Sequence, residues 1–211
     1  MRCGAKVCGM TFTTRITTRI TRRAAAVALP LALLFTTAGA TTGAATATAV
    51  VCPVVEDRLH AAAVQDVDLD RITPEPSYRD NCRQLYRAES RGPEIIFEEG
   101  FLPWDTATGQ YDLQAYVLSN QPSPFVSTTY DHDLYKDWRK AAYNYYIDAP
   151  GGIDVNATIG DDHKYAHQAE VAFPGGIDPA FIAGACPIDK TTNTEIMSDC
   201  VDNPHYAPWR N

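Results

Sequence analysis

Three short polar clusters in this sequence carry residue types that can stabilise developing positive charge and bind phosphate. They are Tyr86-Arg87, Ser127-Thr128-Thr129 and Gln168-Ala169-Glu170, each within a strand-like stretch. A fixed carboxylate such as Glu170 stabilises a cationic transition state, and a guanidinium such as Arg87 makes a two-pronged contact with phosphate. Each cluster alone is equally typical of an ordinary strand surface, so only their combination indicates an enzyme.

The third cluster lies in the segment YAHQAEVAFPGG, which we predict to be a strand. Side chains alternate between the two faces of an extended chain, so Gln168 and Glu170 are expected on one face. Ala169, Val171 and Phe173 then lie on the other face and are expected in the core. This pattern does not distinguish a solvent-exposed face from the wall of a cleft.

The elements around these clusters predict an α+β domain, with helices first and a run of strands afterwards. Pro93 and Gly100 stand where a helix prefers to begin and end, and Asp112 can cap another helix. Helices are predicted at 54–66, at 93–99, after Asp112 and over 131–138, and strands at 84–90, 125–130, 141–149, 153–159, 168–173, 181–188 and 194–200. The sequence PGGID occurs at 150–154 and at 174–178, and we interpret both copies as turns at strand ends.

Residues 1–49 are predicted to be a secretory signal peptide with a small-residue spacer, and residues 50–211 a single catalytic domain. Residues 1–23 hold six basic and no acidic residues, and AAAVALPLALLF follows, a run too short to span a bilayer. Cleavage is expected after Ala40 or Ala49. The sequence therefore predicts a secreted protein without stable membrane association.

Removal of residues 1–49 would leave a strongly acidic chain. It keeps 12 of the 18 basic residues and all 26 acidic ones, a formal net charge of −14. Such a chain lacks the basic surface that binds a nucleic-acid backbone, so any nucleic-acid chemistry must be confined to a site. The sequence also lacks the glycine-rich signatures of Rossmann and P-loop sites, and its histidines do not form the helical i, i+4 pair with a glutamate that metalloproteases use.

Four cysteines remain in the exported chain, an even number that favours two disulfides in an oxidising compartment. Of the three possible pairings we predict Cys186–Cys200, because these residues flank two strand-like stretches around a polar turn. Cys52–Cys82 is the pair that remains. The spacing lacks the close Cys-x-x-Cys pairs of zinc sites, and no metal ion is predicted.

Together and in this order, the three clusters resemble the Arg, Ser-Thr-Ser and Gln-x-Glu signature of the mono-ADP-ribosyltransferase toxins, in their DNA-targeting, scabin- and pierisin-like branch. Longer phrases resemble that branch as well: LYRAESRGPEIIFEEGFLPW, QPSPFVSTTYDHDLYKDW, YYIDAPGGIDVNATIGDDHKYAHQAEVAFPGGI and MSDCVDNPHYAPW. The likeness extends from Tyr78 to the C-terminus, and Thr129 replaces the second serine of the signature. It implies an ADP-ribosyltransferase fold, with N-terminal helices and two packed, roughly perpendicular β-sheets that form a cleft for NAD.

The resemblance also implies roles for individual residues. Glu170 would stabilise the cationic ribose, hydrogen-bond its 2′-hydroxyl and take the proton from the acceptor. Arg87 would bind the phosphate and ribose side of NAD, Ser127 would hold Arg87 and the ribose, and the Ala88 backbone would read the nicotinamide amide. The other NAD-binding residues that it implies are Thr128, Thr129, Lys136 and Trp138. The acceptor would be held by Gln168 and Tyr165.

The predicted function is transfer of ADP-ribose from NAD to guanine in DNA, nucleosides or nucleotides, with release of nicotinamide and NAD hydrolysis as a side reaction. A transferase of this fold that modifies a protein side chain is an alternative. A non-catalytic secreted binding module is another, which the intact Arg87, Ser127 and Glu170 disfavour. We expect the protein to be a monomer.

Overall fold

Eight strands in antiparallel pairs, counted over the described residues, carry two of the polar clusters and Glu170 of the third. The computed structural model describes residues 52–58 and 60–210. The strands are β1 Leu85–Glu89, β2 Phe125–Thr129, β3 Tyr143–Ile147, β4 Ile153–Asp154, β5 Glu170–Pro174, β6 Ile182–Asp189, β7 Thr194–Glu195 and β8 Val201–Asp202. They lie in the order β4-β5-β2-β1-β3-β6-β7, and β8 pairs with β6.

The strands form two groups that meet along one narrow seam. The pairs β1–β3 and β2–β5 each contain five registered residue pairs, whereas β1 and β2 share only Tyr86–Thr129. Arg87 follows Tyr86 in β1, and Ser127 lies two residues before Thr129 in β2. Two of the three polar clusters therefore lie beside the single residue pair that connects the two strand groups.

Three α-helices pack beside the strands and confirm the α+β class. They are α1 Pro93–Glu99, α2 Leu113–Ser119 and α3 Val155–Ile159. The Asp112 carboxylate accepts a hydrogen bond from the Ala115 N–H at 2.8 Å and so caps α2, as predicted. Gly100 ends α1 at a φ of +73°, a conformation that favours glycine. Short 3₁₀ turns cover Leu69–Arg71, His132–Asp137, Ala166–Gln168, Pro179–Phe181 and Met197–Asp199.

Three of the predicted elements are wrong. The described residues of 54–66 form turns and bends instead of a helix. The predicted strand 153–159 ends after Asp154, because the Asp154 carboxylate accepts from the Ala157 N–H at 2.9 Å and starts α3. The predicted strand 194–200 is divided into β7 and a 3₁₀ turn. Val171 and Phe173 of β5 lie in the core as predicted, and all five residues of β5 are buried, whereas Ala169, also expected in the core, is only partly buried.

Both PGGID copies form the predicted turns, and the N-terminal segment packs against them. The two glycines of each copy have positive φ values between +67° and +94°. A Cβ on Gly151 would lie 2.1 Å from the Arg58 carbonyl oxygen, and one on Gly175 would lie 2.1 Å from the Gln65 carbonyl oxygen. The backbone therefore packs directly on the first turn at Arg58 and on the second at Gln65, and these contacts exclude any larger residue at Gly151 and Gly175.

Both predicted disulfides, Cys52–Cys82 and Cys186–Cys200, are present. The first ties the N-terminal segment to the start of β1, and the second links β6 to the residue before β8. The predicted signal peptide over 1–49 lies outside the described residues. Within the described part of the chain, no helix has the length and apolar character needed to cross a membrane.

Candidate active site

Glu170, the first residue of β5, is a buried carboxylate with 8% of its surface exposed. Burial raises its pKa above 4.5, and the Ser127 hydroxyl, the Arg87 guanidinium and the Tyr116 hydroxyl beside it oppose that rise. Its Oε1 has no hydrogen-bond partner among the described residues. A buried acceptor with no partner costs free energy, so its persistence beside a cation indicates a place for a ligand.

Arg87 connects the two strand groups at the seam. Its Nη1 donates to the Ser127 carbonyl oxygen at 2.7 Å, and its Nη2 lies 3.6 Å from a carboxylate oxygen of Glu89. Burial alone would raise the pKa of Glu89, but Arg91 and Arg87 outweigh it and lower that pKa to about 2. The Nε of Arg87 has no partner among the described residues, which leaves it available to an anion. Ser127 holds Arg87 as predicted, through its carbonyl.

Gln168 lines the site from a 3₁₀ turn and not from the predicted strand. It ends the 3₁₀ turn Ala166–Gln168, and Ala169 adopts a left-handed conformation with φ +45°. The Thr129 hydroxyl fixes this turn by donating to the Gln168 carbonyl oxygen at 2.5 Å. The prediction that strand alternation places Gln168 and Glu170 on one face is therefore wrong, although both side chains line the same cavities.

Two adjoining cavities meet at Glu170. The first, here the β1 cavity, encloses about 460 Å³ between β1, β2 and the segment 131–138. The second, here the α2 cavity, encloses about 1080 Å³ between α2, the loops on either side of it and Tyr165. Both volumes include space open to solvent. The residues shared by the two linings are Arg87, Ser127, Trp138, Gln168 and Glu170.

A buried polar network fixes the segment that forms one wall of the β1 cavity. Glu195 on β7, whose side chain is 5% exposed, accepts from the Tyr146 hydroxyl at 2.9 Å and from the Asn144 amide at 2.8 Å. The same carboxylate lies 3.0 Å from the His132 Nε2. Because His132 begins the 3₁₀ turn His132–Asp137, the network ties this turn to β3 and β7.

Replacement of Glu195 by alanine is expected to destabilise the domain by about 1–3 kcal/mol, because it removes the acceptor that the Asn144 amide and the Tyr146 hydroxyl share and leaves each of them only a contact with His132. Urea unfolding measures this change. The control is Asp133→Ala, which removes the exposed carboxylate on the other side of the His132 ring and should cost under about 1 kcal/mol. Equal losses in the two variants would contradict the role given to Glu195.

The remaining predicted binding residues occupy different places. Four line the β1 cavity: Ala88, Thr128, Thr129 and Trp138. Tyr165 lines the α2 cavity, with the Lys164 ammonium 4.5 Å from its ring centroid. Lys136 lines neither cavity, and its Nζ lies 2.7 Å from the Asp133 carboxylate. The structure thus brings every predicted site residue except Lys136 into the cleft.

Comparison with known proteins decides what kind of site this is. The Scabin-like family model matches residues 85–206. A guanine-specific ADP-ribosyl transferase of Streptomyces coelicolor is 65% identical over 158 residues, which cover 75% of this chain and 78% of that protein. The chain belongs to the Scabin-like family.

Other Scabin-like relatives agree with this assignment. The structure of scabin toxin from Streptomyces scabies in complex with NADH matches with a TM-score of 0.75 and 64% identity, covering 77% of this chain and 99% of that one. Pierisin from Pieris brassicae is 39% identical over 118 residues, 50% of this chain and 14% of that protein. The predicted family and the predicted ADP-ribosyltransferase fold are therefore confirmed.

Two parts of this Scabin-like site were missed in the sequence. Tyr116 fits the apolar face of α2 by its spacing, and no sequence signal shows that its hydroxyl lies beside Glu170. Glu195 lies in a stretch that resembles any short strand, and its partners are 49 to 63 residues away in the chain. Both roles depend on long-range packing, which residue spacing does not encode.

Proposed function

We propose that this Scabin-like protein is an NAD-dependent mono-ADP-ribosyltransferase that acts on guanine. The bond between the nicotinamide nitrogen and the ribose carbon breaks, nicotinamide leaves with the bonding electron pair, and a guanine nitrogen bonds to that carbon and loses its proton. Hydrolysis of NAD, with water as acceptor, is the side reaction. The observation that carries the proposal is the buried Glu170 carboxylate at the junction of two cavities, with Arg87, Ser127 and Tyr116 around it.

The described residues fit NAD as the donor. The site offers a carboxylate oxygen and a guanidinium nitrogen that are buried and have no partner among the described residues, one for a ribose hydroxyl and one for phosphate. An ionised Glu170 in this buried place stabilises the positive charge that develops on the ribose, and it is positioned to accept the proton that the acceptor loses. Arg87, fixed by Ser127 and Glu89, needs little reorganisation to bind an anion.

Gln168 supports guanine as the acceptor. A side-chain amide both donates and accepts hydrogen bonds, which suits the amine and carbonyl edge of guanine. A base paired in a duplex does not present its amine to a buried carboxylate, so we propose that guanine is presented unpaired or extruded. Tyr165, on the wall of the α2 cavity, would stack on the base.

The deciding experiment incubates the protein with labelled NAD and, separately, with guanosine, single-stranded DNA, duplex DNA or protein from a cell lysate. Label on guanine, with release of one nicotinamide for each ADP-ribose transferred, is expected. Label on protein alone would indicate the side-chain transferase, and absence of any NAD turnover would indicate a binding module.

Replacement of Gln168 by alanine is expected to lower the ratio of guanine transfer to NAD hydrolysis by about 10-fold or more, because hydrogen bonds that orient the acceptor are worth about 0.5–1.5 kcal/mol each. Both products are measured in one reaction by chromatography. His167→Ala, an exposed neighbour in the same turn that lines neither cavity, is the matched control. A ratio unchanged in Gln168→Ala would remove Gln168 from the acceptor site.

We also propose that the protein is secreted and acts as a monomer without stable membrane association. The basic N-terminal stretch, the short apolar run and the two disulfides support secretion. The net charge of −14 without residues 1–49 supports recognition centred on the base. Fractionation of the producing culture, with N-terminal sequencing of the mature chain, tests export and locates the cleavage site.

A further inference from the structure

Trp104 is an exposed tryptophan at the mouth of the α2 cavity, and 71% of its surface is accessible. Single exposed apolar side chains are common and usually need no explanation. Among the described residues, however, seven large apolar side chains are exposed, and the two that line this cavity, Trp104 and Trp138, are both tryptophans. Trp138 lines both cavities, whereas Trp104 lines only the one on the side of Tyr165.

The backbone on both sides of Trp104 is fixed by hydrogen bonds. Before it, Phe101 is fully buried and exchanges two backbone hydrogen bonds with Ile177. After it, the Asp105 N–H donates to the Ser123 carbonyl oxygen at 3.0 Å, and the Asp105 carboxylate accepts from two backbone N–H groups of its own loop. Because this backbone is already ordered, stacking on a ligand restricts only the side-chain rotamers of Trp104.

The composition of the α2 cavity limits how it can hold an acceptor. Of the described residues that line it, Arg87 alone is basic, and Arg87 belongs to the donor site around Glu170. Apart from Arg87 and the Glu170 carboxylate, the described residues of the lining are apolar side chains and uncharged amides and hydroxyls, among them Asn120, Gln121 and Ser123. A surface of this kind gains little from phosphate neutralisation, so affinity for a nucleic-acid strand must come from its bases.

We propose that Trp104 forms a stacking subsite for the base next to the target guanine in a single strand of DNA. The inference rests on the proposed function, because it extends the acceptor from one guanine to a guanine within a strand. The subsite adjoins the guanine position through one continuous cavity, with Tyr165 at the guanine and Trp104 at the rim. It accepts any base, since every base has a π-face.

The test compares two acceptors in each variant. For wild type, Trp104→Ala and Trp104→Phe, kcat/KM is measured with guanosine and with dinucleotides and longer single strands that contain one guanine. Trp104→Ala is expected to lower the strand-to-guanosine ratio by about 5- to 160-fold, the range for loss of one base–aromatic stack, and Trp104→Phe to retain most of it. Dinucleotides with the extra base on the 5′ or the 3′ side show which neighbour stacks.

Because the ratio is taken within one variant, general damage to the enzyme cancels. Met197→Ala is the matched control, an exposed apolar side chain away from both cavities, and should leave the ratio at its wild-type value. Label on guanosine and on strands with an unchanged ratio in Trp104→Ala would overturn this inference alone. NAD hydrolysis without label on any guanine would overturn the proposed function, and the subsite with it.

Discussion

Replacement of Glu170 by glutamine is expected to lower kcat for NAD cleavage by about 10²–10³-fold, the loss typical when one preorganised electrostatic group is removed from an active site. The substitution keeps the shape of the side chain and removes the negative charge that stabilises the cationic ribose. Nicotinamide release measures the effect for both transfer and hydrolysis. Glu98→Gln is the control, since it removes the same charge from an exposed side chain that lines neither cavity.

The same variant is expected to be more stable than wild type at neutral pH. Burial raises the pKa of Glu170 above 4.5, so the folded protein holds this proton more tightly than the unfolded chain does. The stability that the group contributes is therefore complete below pH 4.5 and is lost as the pH rises through the raised pKa. Each kcal/mol gained in Glu170→Gln would raise Tm by about 2–4 °C in a domain of this size.

Activity has the opposite pH dependence. The carboxylate must be ionised to stabilise the ribose cation, so kcat of the wild type should fall as the pH is lowered through the raised pKa of Glu170. A pH–rate profile and thermal melts at matched pH values measure the two trends. Loss of activity together with a lower Tm at neutral pH would contradict this account, because it would mean that the ionised carboxylate stabilises the fold.

Replacement of Arg87 by lysine is expected to lower kcat/KM for NAD by about 10²-fold or more, although the positive charge is kept. The guanidinium bridges Ser127 and Glu89, and its Nε has no partner within the described part of the chain; a single ammonium does not span these partners. Loss of the hydrogen bond to Ser127 and of one to the NAD phosphate, at about 1.5 kcal/mol each, corresponds to this factor. Steady-state kinetics of nicotinamide release provide the measurement.

Two further variants test whether the loss of activity in Arg87→Lys is specific to the role of Arg87 at the reacting centre. Arg83→Lys, an exposed arginine just before β1 that lines neither cavity, should leave kcat/KM at its wild-type value. Arg87→Met removes the charge that opposes the rise in the Glu170 pKa, so the acid limb of the pH profile should move to higher pH. An unmoved acid limb, or full activity in Arg87→Lys, would show that Arg87 does not act at the reacting centre.

The central residues of the site could be predicted from the sequence, because three clusters of specific residue types occur in a recognisable order. Each cluster alone is typical of an ordinary strand, and the resemblance of the three clusters together to the family signature predicted that Glu170, Arg87 and Ser127 lie together, as they do. Both disulfides and the caps at Asp112 and Gly100 follow from local chemistry. These features depend on a few neighbouring residues or on composition, which a sequence displays directly.

The errors arose where tertiary contacts override local pattern. The segment 54–66 has helical spacing, but its backbone is held by the glycine turns and by the Cys52–Cys82 disulfide. The alternation over Gln168 and Glu170 fails because Ala169 takes a left-handed conformation, which non-glycine residues adopt rarely. The β-branched residues after Asp154 favour a strand, but the Asp154 carboxylate caps a helix there.

The single residue pair between β1 and β2 allows the cleft to act as a hinge between the two strand groups. Each strand keeps a full partner on its other side, so a change in the angle between the two groups disturbs the pair Tyr86–Thr129 and little else of the ladder. A substrate that binds Arg87 on one group and Glu170 on the other supplies cross-links that the strands do not make. Bound NAD would thus link the two strand groups through its contacts with Arg87 and Glu170. Its binding free energy would then oppose a change in the angle between the groups.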